Sequence, residues 1–257
     1  MIADRERGVT QAFVSLARSL SDGVDPVDLL SGLAEDATRL LDVASTGILL
    51  ADPRRVLHVV AASSEATRAL EVYQLQRSQG PCLDSFRSGA PVSAPDLRLE
   101  PARWPLFVEA AVDAGFVSVH AVPMRLRGNV LGTMGLFGTH PGALDDDDMS
   151  LGQSLAYVAA VALVQDKAAA DSALVAEQLQ TALNSRVVLE QAKGVLAQRG
   201  NLEMEGAFAM LRRYARDHNL RLTDVARGVT RRELPAQHVL DHAAARERQP
   251  RRKAAAD

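Results

Sequence analysis

A chain of 257 residues with 47% apolar and 24% charged side chains has the balance of a core-forming protein of one large or two modest domains, which excludes disorder for most of its length. No run of about 18 apolar residues is present to span a bilayer, the start MIADRERGV lacks the apolar stretch of a signal peptide, and a cytoplasmic protein is expected. The single cysteine, Cys82, excludes an internal disulfide and a zinc site built on two or more cysteines. The net charge of −3 hides two opposed parts. Residues 1–183 carry 14 Lys and Arg against 23 Asp and Glu, whereas residues 184–257 carry 15 against 9. The basic C-terminal part points to a nucleic acid or an acidic protein as partner.

The first forty residues have helical spacing: Phe13, Leu16, Ala17 and Leu20, then Val27, Leu30, Leu33, Ala34, Ala37, Leu40 and Leu41 after the break at Asp25-Pro26. From Ser45 the pattern shortens. Thr46–Ala51 and Arg55–Ala62 read as a hairpin around Asp52-Pro53, followed by a helix over Ala66–Gln76, a loop over Gln79–Leu83, a strand over Ala90–Ala94 and a helix over Trp104–Ala114. Phe116–Leu126 and Val130–Gly138 form the clearest hairpin, with a type II′ turn expected at Gly128-Asn129. Val117, Val119 and Ala121 alternate with Ser118 and His120, the pattern of a half-buried strand. Five strands among helices imply an α+β domain on an antiparallel sheet with flanking helices.

Asp145–Asp148 reads as a helix start, where acidic side chains favour the dipole; an EF-hand would need alternating ligands, a central Gly and a closing Glu. Between Gly152 and Gly194 the chain has no Pro or Gly. A 4-3 spacing runs through Leu151, Leu155, Val158 and Ala162, then Ala169, Ala176, Leu179 and Leu183, with Gln165 and Ser172 in register. This weak heptad predicts a coiled-coil stalk that pairs in a homodimer; a solvent-exposed connector is the alternative.

In the helix ending at Gly200, Val188, Leu189, Ala192, Val195 and Leu196 share one arc, Leu183, Val187 and Gly194 a second, and Arg186 and Lys193 a third. Gly200 reads as its C-cap and Asn201 as the N-cap of a helix in which Met204, Ala207, Phe208, Leu211, Tyr214 and Ala215 align. Thr223 is the N-cap candidate of a third helix with Val225, Ala226 and Val229 inward. Three short amphipathic helices make a small bundle. The tail RERQPRRK, Arg246–Lys253, is too charged to pack and reads as disordered.

Arg186-x-x-Leu189-x-Gln191-Ala192-Lys193-Gly194-Val195-Leu196, then Ala207-Phe208-x-x-Leu211-Arg212-x-x-Ala215, then Leu222-x-x-Val225-Ala226-x-x-Val229 together resemble an ANTAR domain. The resemblance implies a three-helix RNA-binding module that acts in transcription antitermination on paired stem-loops of leader RNA, as a dimer under an attached sensor. Gly80-Pro81-Cys82-Leu83-Asp84, Gly89-x-Pro91-Val92, Pro95-Asp96, Arg103-Trp104-Pro105 and Gly115-Phe116-x-Ser118-Val119 resemble a GAF domain, as do Val122-Pro123-Met124 and Leu131-Gly132-x-Met134-x-Leu136-Phe137. GAF domains variously bind small molecules, host chromophores or only dimerise, so a small-molecule ligand is possible and no cofactor is named.

RNA presents a dense phosphate backbone that favours clustered cations, and its unstacked loop bases favour planar donors and close approach. Arg186, Gln191, Lys193 and Gly194 supply those types on one helix, with Gln191 projecting away from the Arg186–Lys193 line, and Arg212, Arg213 and Arg216 could extend the surface. The competing reading has Arg186, Glu190 and Lys193 as salt bridges on a solvated face. Cys82 is either a sensing thiol or a small buried hydrophobe. His58, His120 and His140 are scattered candidates for haem or metal, and no metal site is expected. No P-loop, Gly-x-Ser-x-Gly or His-Glu-x-x-His occurs, so no enzyme is expected.

Residues 1–147 are thus read as a GAF-like sensor domain, 148–182 as a helical coiled-coil linker, 183–240 as an ANTAR-like RNA-binding domain and 241–257 as a disordered basic tail. Two other functions remain open: a double-stranded DNA-binding regulator using Leu222–Arg232 as recognition helix, and a small-molecule sensor or dimerisation scaffold without nucleic acid.

Overall fold

The computed structural model describes residues 2–22, 25–164 and 172–242, with side chains over 5–17, 25–164 and 180–242. The chain forms two compact units, Met1–Leu183 and Asn184–Asp257.

The first unit opens with α1 (Ile2–Asp22) and α2 (Pro26–Leu40). Asp25 caps α2 by accepting from the Val27 N–H, and Pro26 occupies a first-turn position whose missing N–H costs nothing. Then come β1 (Ser45–Ala51), β2 (Leu57–Ala62), α3 (Glu65–Arg77), α4 (Pro81–Ser88), β3 (Val92–Ala94), a 3₁₀ turn (Leu97–Leu99), α5 (Pro105–Asp113), β4 (Ser118–Leu126), β5 (Asn129–Gly138) and α6 (Asp146–Val164). The strands form one antiparallel sheet in the order β2-β1-β5-β4-β3.

Both faces of this sheet are covered. Ile48, Leu50, Val122, Met124, Met134 and Leu136 join the buried side chains of α1, α2 and α6 in one core. Leu49, Ala51, Val119, Ala121 and Phe137 join those of α3, α4 and α5 in a second. The half-buried strand expected from Val117–Ala121 is therefore buried on both faces from Ser118 to Met124, because helices supply both layers.

Three other expectations change. The loop read over Gln79–Leu83 is the start of α4, whose first turn is set by Gly80 at φ 143° followed by Pro81. The hairpin pairs Leu126 with Asn129, so its two-residue loop is Arg127-Gly128, with φ of 51° and 84°, a type I′ turn. In α6, Asp145 caps the Asp148 N–H at 2.7 Å, as its charge predicts. Beyond that start, Leu155, Ala156, Ala159, Ala160, Leu163 and Val164 are buried in the unit's own core. The first half of the heptad read as a stalk thus packs within its own domain, since helix spacing marks an apolar stripe without saying what covers it. Gln165 and Ala169 of that heptad, and the tail Arg246–Lys253, lie outside the described residues.

The second unit contains the C-terminal part of α7 (Ser172–Gly200), α8 (Met204–Asp217), α9 (Leu222–Thr230) and a short helix over 236–242. Leu189, Ala192, Leu196, Ala207, Leu211, Ala215, Leu222, Val225, Ala226 and Val229 are buried, as are Ala236 and Val239 of the short helix, which adds a fourth segment to the expected three. Its His242 bonds Asp217 at 2.9 Å and meets the stacked Tyr214–His218 pair edge-on. The caps also differ from expectation. Asn201 and Asn219 take left-handed conformations, and the Leu202 and Leu220 N–H groups reach back to the Ala197 and Ala215 carbonyls, closing Schellman turns. Glu203 and Arg221, rather than Asn201 and Thr223, stand at the N-caps of α8 and α9.

The type I′ turn generates a stability prediction. Arg127 carries a Cβ in the left-handed region that Asn tolerates better, so Arg127→Asn is expected to stabilise the protein by up to about 1 kcal/mol in urea denaturation. An unchanged or lower midpoint would contradict the assigned turn.

Candidate nucleic-acid interface and sensor interior

The side of α7 that faces solvent is not the one its charges suggest. Arg186 and Lys193, at 9% and 3% exposure, are buried. The Arg186 guanidinium contacts Glu190 at 2.6 Å, and the Lys193 ammonium lies 3.3 Å from both carboxylate oxygens of Glu190 and 5.9 Å above the Phe208 ring of α8. The expectation that the Arg186–Lys193 edge is open to solvent is thereby corrected. The ion pairs of the competing reading form, yet on a covered edge: long aliphatic stems pack along a helix while their charged ends find a local carboxylate.

Asn184, Val187, Gln191, Gly194 and Gln198 are exposed instead, Val187 at 58%. Their spacing of three and four residues puts them on one stripe. A Cβ built on Gly194 meets nothing within 4 Å, so another molecule can approach the helix backbone there. Gln191, the motif residue whose direction fitted the cationic line least, lies in the middle of this stripe. The sequence signal for it was the repeat of uncharged polar residues at 184, 191 and 198, which the nearby charges overshadowed.

On α8, Arg212 and Arg213 are half-buried and Arg216 is exposed. Arg212 follows Phe208 by one turn, on the side of α8 that Lys193 overlies. Arg216 lies one further turn on.

The interior of the first unit holds a different chemistry. Glu71 of α3 is fully buried, receives a hydrogen bond from the Gln74 amide and one from the Cys82 thiol at 3.4 Å, and has its carboxyl pushed up to about 8 by burial. A Cβ on Gly47 of β1 would stand 2.6 Å from the Glu71 carboxylate, and one on Gly135 of β5 would stand 2.7 Å from the Cys82 sulfur. Glycine at both places lets these polar groups press against the sheet. Burial first, and then the Glu71 carboxylate, raise the Cys82 thiol well above its ordinary value, so it is a protonated buried group rather than a reactive thiolate.

The Gly80–Asp84 and Arg103–Pro105 motifs meet in space. The Trp104 indole donates to Asp84 at 3.0 Å while Arg103 covers the indole ring at 4.2 Å. The buried His120 ring bonds Ser93 and the Gly142 carbonyl, and burial lowers its pKa. His58 pairs with Asp52 at 3.3 Å. Among the described residues no group of three or more His, Cys, Asp or Glu is placed to hold a metal ion, and no helix is long and apolar enough to cross a membrane.

A five-stranded antiparallel sheet with helices on both faces is followed in the chain by a small helical unit. The chain belongs to the GAF domain family, whose profile matches residues 23–164, and it carries an ANTAR domain over residues 177–229. Among solved structures it is similar to the GAF domain of an Acinetobacter phosphoenolpyruvate-protein phosphotransferase, at 14% identity and a TM-score of 0.47, over 60% of this chain and 90% of that one. It is also similar to a GAF domain/HD domain protein from Geobacter sulfurreducens, at 19% identity and a TM-score of 0.47, over 63% of this chain and 97% of that one. No curated protein matches the chain. GAF domains are sensor domains and ANTAR domains RNA-binding antitermination domains, both regulatory rather than enzymatic.

Glu71 makes the stability of the sensor domain depend on pH. Its folded-state pKa of about 8 lies above the ordinary 4.5, so between these values the folded chain holds a proton that the unfolded chain has released. The stabilisation is complete below the lower value, declines as pH rises and is lost above about 8. Glu71→Gln, neutral throughout, is expected to flatten the fall in Tm across this window and to exceed the wild-type Tm at its alkaline end. Parallel pH profiles of the two proteins would refute the assignment.

Proposed function

We propose that this protein is an RNA-binding transcription antitermination regulator in which the GAF domain controls an ANTAR domain that binds paired stem-loops in nascent leader RNA. The observation that carries the reading is the exposed stripe of α7 centred on Gln191 and Gly194, within the residues that match the ANTAR domain. Gln191 offers a planar amide that both donates and accepts, Gly194 leaves room for a base, and the stripe carries no charge that would repel or misplace one. Arg213 and Arg216 supply phosphate contacts from α8. A homodimer acting in the cytoplasm would hold two hairpins of one transcript together and so keep a terminator from forming. A small molecule at the GAF domain would set the placement of the two RNA-binding units.

Crosslinking in cells followed by sequencing of bound RNA tests the class: leader regions with twin hairpins are expected, and recovery of no RNA, or of duplex DNA in competition, would overturn it. Gly194→Leu tests the face. The substitution improves helix propensity by somewhat under about 1 kcal/mol, so Tm is expected to hold or rise while RNA affinity falls at least roughly tenfold. Undiminished binding by a folded Gly194→Leu protein would remove the stripe from the interface. Arg216→Ala is expected to reduce the slope of log K against log salt by about one unit, whatever the RNA sequence.

A further inference from the structure

We infer that Arg186 and Lys193 form a phosphate-binding site that the Glu190 carboxylate holds closed, occupying the position that an RNA phosphate takes when the site opens. The source of that phosphate rests on the RNA reading above; the site itself rests on the geometry of α7.

At 100° per residue, Glu190 divides the helix surface. Arg186 and Lys193 fall about 40° and 60° to one side of it, and Gly194, Val187, Gln198 and Gln191 fall between about 40° and 100° to the other. The carboxylate therefore stands at the border between a covered cationic edge and the exposed stripe. Of the three charged side chains it is also the most accessible, at 28% exposure against 10% for Arg186 and 4% for Lys193. A rotation of Glu190 into solvent would take its carboxylate away from both cations without any change in the backbone of α7.

The Arg186 guanidinium is incompletely used in this closed state. One terminal nitrogen meets Glu190 at 2.6 Å, while Nε is buried and has no hydrogen-bond partner. Guanidinium favours a two-point contact through adjacent N–H groups, and a buried donor left unmade is a standing cost. A phosphodiester can place one oxygen on Nε, another on the terminal nitrogen, and still lie within reach of the Lys193 ammonium. Tethered one turn away on the same helix, Glu190 contacts a terminal nitrogen of the guanidinium and leaves Nε without a hydrogen bond. A phosphate arriving on the Gln191–Gly194 stripe thus has both a like charge to displace and a better-matched pair of donors behind it.

A purely structural Glu190, needed only to neutralise two buried cations, makes the opposite forecast: its removal weakens the fold and with it RNA binding. The test uses the full chain with Glu190→Gln, which keeps the size and removes the charge. With a twin-hairpin RNA recovered by crosslinking, the variant is expected to bind roughly tenfold tighter, with a log K against log salt slope steeper by about one unit. In parallel, the ¹⁵N resonance of Arg186 Nε is followed as inorganic phosphate is added. A saturable shift in Glu190→Gln, absent or much weaker in the wild type, is expected. Equal or weaker RNA binding with no phosphate-dependent shift would overturn the inference while leaving the RNA reading intact. A shift without RNA binding by either protein would retain the oxyanion site and discard the RNA reading. Should the Gln variant not fold, Glu190→Asp, which withdraws the carboxylate from the guanidinium, is expected to move both readouts in the same direction.

Discussion

The sheet of the sensor domain is buried on both faces, and most other features of that domain follow from this. Successive residues of β1 and of the central parts of β4 and β5 are buried and mostly apolar or small, with His120 a hydrogen-bonded exception, because their side chains enter one core or the other. Helices must arrive from both sides, so α1, α2 and α6 close one layer and α3, α4 and α5 the other. The layer of α3, α4 and α5 approaches closely where Gly47 and Gly135 remove the Cβ from the sheet. That approach draws Glu71, Gln74 and Cys82 out of water, and a domain with few aromatic side chains thus acquires a polar interior.

Two glutamates show how differently a carboxylate is accommodated once it leaves solvent. Glu71 is met by the Gln74 amide and the Cys82 thiol, and the low polarity of its surroundings makes the protonated acid the stable form near neutrality. Glu190 stands between Arg186 and Lys193 and contacts both. In the first case the proton concentration sets the local energetics; in the second, the two neighbouring cations do.

Periodicity made the element types legible because it records which face of a helix or strand is apolar. Asp25-Pro26, the alternating run through Val119 and the apolar arc of Leu189, Ala192 and Leu196 announced α2, β4 and the buried side of α7 in advance. Turn chemistry was legible less well. Asn201 resembled a helix start, and it instead terminates a helix, as Asn219 also does, since the same short side chain that caps an N-terminus also tolerates the left-handed conformation. α4 went unread because Gly80-Pro81 punctuates a loop and begins a helix equally well.

The candidate site was legible in its residues and not in their exposure. Composition, charge asymmetry and motif order were enough to bring Gln191, Lys193, Gly194 and Arg212 into one discussion, and to indicate an α+β sensor ahead of a helical basic unit. Which of these residues meets solvent depended on neighbours distant in sequence. Phe208 of α8 lies under Lys193, and the covered edge of α7 takes Arg186 out of water while Gln191 and Gly194 stay open. In the same way the α6 stripe signalled burial without naming its partner, which proved to be the domain's own sheet. One-dimensional patterns determine the faces an element possesses; packing alone decides which face is covered, because burial is a relation between elements.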